Sequence, residues 1–152
     1  MSNIPNTPPT EPRTGVQAGV QAGVRLQNLR DFTVQIRSPV DDQIAGTGIA
    51  VNREGQVVTC AHVVRAVLGI HPRDAAADAE VGVYFPQARG GERKDRRATV
   101  AGCFPQHDDD VVLLRLTGGP PPLNPEQMPT LGQAEDSGYH PFRTYGYRKL
   151  GQ

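Results

Sequence analysis

The chain has 152 residues, enough for one domain, and its 16 basic and 16 acidic side chains cancel, so no global charge points to nucleic acid or an anionic membrane surface. Glycine (17) and proline (14) together make about a fifth of it, and only 37% is hydrophobic, a balance of short strands and turns rather than a helical bundle. No apolar run reaches the 18 or so residues of a membrane span, the N-terminus lacks the basic start and apolar core of a secretory signal, and two cysteines are too few for a disulfide framework. A reducing cytoplasm is the expected setting.

Residues 1–30 are expected to be a disordered tail. The first fourteen are rich in Pro, Thr and Asn, and "GVQAGVQAGV" (15–24) is a repeat too short to stack. Period-two patterning begins at "DFTVQIR" (31–37), where Phe32, Val34 and Ile36 alternate with polar neighbours. "IAGTGIAVN" (44–52) and "GQVVTCA" (55–61) read as the next two strands, joined by a turn over Asn52 to Gly55. "HVVRAVLG" (62–69) predicts one or two helical turns stopped by Gly69. "EVGVYFP" (80–86) and "RATVAGCF" (97–104) are the fourth and fifth strands.

The sixth strand, "DVVLLRL" (110–116), has the continuous apolar run of a strand buried on both faces. Prolines then exclude regular structure in "TGGPPPLNPEQMP", and "FRTYGYR" (142–148) begins a seventh strand. Six regularly spaced strands predict an all-β protein, a six-stranded antiparallel barrel over 31–116, followed by a connector in 117–152.

Two motifs carry chemistry. Thr59-Cys60-Ala61-His62-Val63-Val64 follows Gly46-Thr47-Gly48, and Asp110 stands directly before Val111-Val112-Leu113-Leu114-Arg115-Leu116. Both resemble the trypsin-like (chymotrypsin-fold) serine proteases, nearest to the disulfide-free bacterial branch that includes the HtrA/Deg proteases. The resemblance implies a chymotrypsin-type barrel, His62 as general base and Asp110, rather than Asp108 or Asp109, as the carboxylate that orients it. An imidazole takes the serine proton while a carboxylate on its other nitrogen holds the tautomer.

"EDSG" places Ser137 in the setting of a nucleophile, but spacing argues against it. In the chymotrypsin arrangement about 45 residues separate His from Asp and about 90 separate Asp from Ser. Here the intervals are 48 and 27. By that spacing the nucleophile falls near residue ~200, and Ser137 reads as a turn serine. The resemblance covers 31–152: one barrel, the connector and the first strand of a second barrel. It implies a protein or peptide substrate and a complementary second barrel in the parent polypeptide or a partner chain. On this reading the chain alone is inactive.

Plainer alternatives stand beside this one. The plain alternative for His62 is a histidine without a role, and for Asp110 a strand-start cap. The chain as a whole suits a degenerate, non-catalytic protein-binding module. Cys60, His62, Cys103 and His107 are of zinc-ligand type, but Cys103 sits on another strand than Cys60 and His62, and adjacent aspartates such as those of "HDDD" (107–110) are ordinarily just solvated. No metal and no cofactor is expected. The loop from Arg89 to Arg97 carries five basic residues against two acidic, the composition of a solvated hairpin tip.

Overall fold

Residues 29–104, 110–131 and 144–147 are described by the computed structural model, and six strands carry their architecture. β1 (Thr33–Arg37), β2 (Ile44–Ala50), β3 (Gln56–Thr59), β4 (Glu80–Tyr84), β5 (Asp95–Cys103) and β6 (Val112–Thr117) form a closed barrel in the order β1-β2-β3-β6-β5-β4. Every neighbouring pair is antiparallel. This is the six-stranded barrel that the alternating pattern predicts. Between β3 and β4 run the helix α1 (Ala61–Leu68) and a short 3-10 helix (Pro72–Asp74); a second 3-10 turn (Pro125–Gln127) follows β6.

The barrel interior is filled by alternate residues of each strand. Val34 and Ile36 from β1, Val57 from β3, Val81 and Val83 from β4, and Val112 and Leu114 from β6 are all essentially inaccessible, with Phe85 just beyond β4. Mostly β-branched side chains suit these positions because they pack well on a pleated surface. α1 lies against this core. Ala61 and Val64, three residues apart, are buried with Val63, while His62 and Arg65 face solvent. Gly69, at φ 74°, ends the helix with a backbone bond to Arg65, a left-handed position that a residue without Cβ adopts at little cost.

Gly46-Thr47-Gly48 is explained by what a side chain would meet. A Cβ on Gly46 would stand 2.6 Å from a Val63 methyl of α1, and one on Gly48 would stand 2.9 Å from both Ile36 and Val57. The two glycines let the helix and the core close on β2. Thr47 between them points outward, where its hydroxyl donates to the Tyr147 carbonyl at 2.9 Å and accepts the Tyr147 N–H. Residues 144–147 are thereby tied to the barrel wall, and Tyr145 and Tyr147 meet edge to face at 5.5 Å.

Several boundaries differ from the sequence reading. Residues 29–32 are helical, so β1 starts at Thr33 rather than 31, and the Thr33 hydroxyl bonds back to the Leu29 carbonyl. β6 is not buried on both faces: Val112, Leu114 and Leu116 face inward while Arg115 and Thr117 are exposed, with no second layer over this part of β6 among the described residues. β5 begins at Asp95 and so takes in the end of the arginine-rich loop. Arg96 keeps only 16% of its side chain exposed. Of the seventh strand expected over 142–148, Thr144 to Tyr147 are described and form no ladder. The remainder, with Ser137 and the tail before residue 29, lies outside the described residues. No helix among the described residues is long and apolar enough to cross a membrane.

Candidate active site

α1 begins where β3 ends, and β6 runs antiparallel beside β3, with Thr59 paired to Val112. That pairing sets Asp110, two residues before β6, over the first turn of α1. His62 is the second residue of this helix, which starts one residue earlier than the sequence reading placed it. The first N–H groups of a helix have no partner inside it. Cys60, at the N-cap position, supplies no side-chain bond. Asp110 supplies them instead: its Oδ1 accepts the His62 N–H at 2.8 Å and its backbone carbonyl accepts the Ala61 N–H at 3.3 Å.

The second carboxylate oxygen, Oδ2, bonds Nδ1 of the same histidine. These bonds hold the Asp110 carboxyl below the usual carboxylate range, the His62 backbone N–H first and its ring second. An ionised carboxylate can only accept, so Nδ1 donates in this bond, and in the neutral ring Nε2 keeps its lone pair. The His62 side chain is 70% exposed, which leaves the ring open to an incoming group. A proton acceptor backed by a carboxylate and facing solvent is the arrangement of a general base.

Cys60 joins this group, which the sequence reading did not anticipate. Its thiol is pushed up by burial first and then by the neighbouring Asp110 charge. Of the four residues whose types suit zinc, only Cys60 and His62 share this place. Cys103 sits on β5 opposite Val112, and His107 lies outside the described residues, as do Asp108 and Asp109. The signal that Cys60 and Asp110 meet is the register of β3 against β6, which no local pattern encodes. Behind the site, the Thr59 hydroxyl donates to the Thr47 carbonyl at 2.7 Å and pins the end of β3 to β2.

A cavity of about 470 Å³ lies elsewhere, lined by Arg37, Tyr84, Arg96 and Thr117 among others. Arg37 lies 3.9 Å over the Tyr84 ring and pairs with Asp42 at 2.8 Å. Thr117 and Val112 stand five strand positions apart, about 17 Å along β6, so this cavity shares nothing with His62.

Residues 46–149 match the trypsin-like peptidase domain family. Among solved structures, the MamO protease domain from Magnetospirillum magneticum, in its apo form, is 22% identical with a TM-score of 0.45; the match covers 62% of this chain and 43% of that one. No curated protein matches the chain.

Proposed function

Because the chain belongs to the trypsin-like peptidase family, over residues 46–149, we propose that it is the base-bearing half of a serine endopeptidase that hydrolyses peptide bonds in a protein substrate. His62 is the general base and Asp110 orients it. The nucleophile and the oxyanion-binding donors come from a second barrel, in the parent polypeptide or a partner chain, and not from Ser137. One observation carries this reading. Two side chains 48 residues apart are joined by a hydrogen bond from ring to carboxylate while the ring stays open to solvent.

A fluorophosphonate probe, which labels activated serines, tests it. The 152-residue chain alone is expected to remain unlabelled. Supplied with its second barrel, the complex labels at a serine of that barrel. Asp110→Asn slows the labelling by a factor on the order of 10⁴, the loss known for a triad with the wrong tautomer. Labelling at Ser137 that vanishes in His62→Ala would overturn the assignment of the nucleophile.

A further inference from the structure

Three donors of different chemistry converge at the start of α1. The Cys60 sulfur, a ring nitrogen of His62 and a carboxylate oxygen of Asp110 all lie within 4.8 Å of one another. Zinc binds sulfur at about 2.3 Å and imidazole nitrogen or carboxylate oxygen at about 2.0–2.2 Å, so tetrahedral geometry sets its ligand atoms about 3.4–3.6 Å apart. Binding asks these three side chains to rotate from their mutual separations of up to 4.8 Å to that spacing. The backbone needs no change, since Asp110 is already fixed to the Ala61 and His62 N–H groups and Cys60 is held between the Thr59 anchor and the helix.

We infer that Cys60, His62 and Asp110 form a binding site for a zinc-type divalent cation, with water as the fourth ligand. A thiolate and an imidazole select zinc or cobalt over magnesium or calcium, which prefer all-oxygen sites. The exposed His62 and Asp110 side chains give the ion a path in and leave its outward position to solvent. On binding, the sulfur–metal bond forms and the Cys60 proton leaves to solvent. The site differs from the set suggested by residue types alone, because Asp110 takes the place of Cys103 and His107.

The nitrogen nearest the carboxylate is Nδ1. A metal there replaces the bond between His62 and Asp110 and removes the support on which proton transfer depends. Zinc is then a reversible off-switch for the base. This consequence rests on the protease reading; the binding does not.

Cobalt(II) titration of the reduced 152-residue chain tests the site without any substrate. One equivalent is expected to give a near-ultraviolet sulfur-to-metal charge-transfer band and tetrahedral visible bands. Zinc displaces both, whereas excess magnesium or calcium leaves them unchanged. Cys60→Ser abolishes the ultraviolet band. His62→Ala and Asp110→Asn each weaken binding by at least about tenfold, and Cys103→Ala leaves it intact. Circular dichroism verifies that each variant is folded. A band that persists in Cys60→Ser, or no band in the wild-type chain, would sink the proposal. Proteolysis that continues in a complex whose band shows the metal bound would overturn the off-switch alone, and no proteolysis in the metal-free complex would count against the protease reading alone.

Discussion

Asp110 holds His62 twice, by the backbone N–H at 2.8 Å and by the ring nitrogen Nδ1. One carboxylate therefore fixes both the start of α1 and the orientation of the imidazole it carries. The bond that organises the proposed chemistry also stabilises the fold. Changes at Asp110 must be read for both effects.

The pH response follows from this. The Asp110 carboxyl sits below its ordinary value when folded, and an unfolded aspartate titrates near about 3.9. Its stabilising contribution is thus fully present above about pH 4 and is lost as pH falls through the folded value. Carbon-13 NMR of the Asp110 carboxyl is expected to show a midpoint below 3.9. In His62→Ala the midpoint should rise only part of the way, because the backbone N–H, the larger cause, remains. An unchanged midpoint in that variant would mean that the ring makes no contact in solution.

Removing the carboxylate should loosen the first helical turn. Asp110→Ala is expected to cost about 1 kcal/mol, within the usual range for a lost N-cap, and to lower Tm by a few degrees. Half of the side chain is exposed, which argues against a larger value. Asp110→Asn keeps an acceptor oxygen and should recover most of the loss in thermal denaturation, while still failing in the fluorophosphonate assay.

Cys60 should be a sluggish thiol. Burial and then the Asp110 charge both disfavour its thiolate, the form that reacts with alkylating agents. Iodoacetamide at pH 8, followed by mass spectrometry, should modify Cys60 more slowly than the same cysteine in denatured chain. Asp110→Asn should speed the reaction only in part, since burial is the larger cause. A rate that Asp110→Asn leaves untouched would place the charge too far away to matter.

On β2, Gly46→Ala forces a methyl to within 2.6 Å of Val63. Val63 must shift to admit it, and overpacking of this kind costs about 1–3 kcal/mol. Chemical denaturation should show a lower midpoint with an unchanged slope. Gly48→Ala, pressed against Ile36 and Val57, should behave alike.

Thr47→Val keeps the shape of the outward side chain and removes its hydroxyl. Both bonds to Tyr147 are then lost. Hydrogen exchange is expected to accelerate at the Tyr147 amide while β2 and β3 amides keep their protection. Equal protection in the variant would show that other contacts hold residues 144–147.

How much of this was legible in the sequence follows from the range of each interaction. The strands were, because alternation is local: Val34 and Ile36, or Val112 and Leu114, declare an inward face by themselves. The pairing of His62 with Asp110 was inferred from two motifs, since 48 residues separate them and only barrel closure brings them together. The third partner was not legible. Cys60 meets Asp110 through the β3–β6 register, and a cysteine at the end of a strand has no local signature. Likewise nothing around Tyr147 announces that its backbone will be held by a hydroxyl 100 residues earlier. The error at β6 has the same origin, because an apolar run such as Val111 to Leu114 does not distinguish one covered face from two.

Closure of the barrel also limits how another protein can attach to it. Each of the six strands is bonded on both sides, so along those ladders no row of free N–H and C=O groups offers a template for an added strand. A partner barrel or a substrate must be recognised by side chains and by segments outside the ladders, where Phe104 and Val111 stand exposed on either side of residues 105–110. The same closure denies stray chains that template, and so guards the barrel against sheet-to-sheet association.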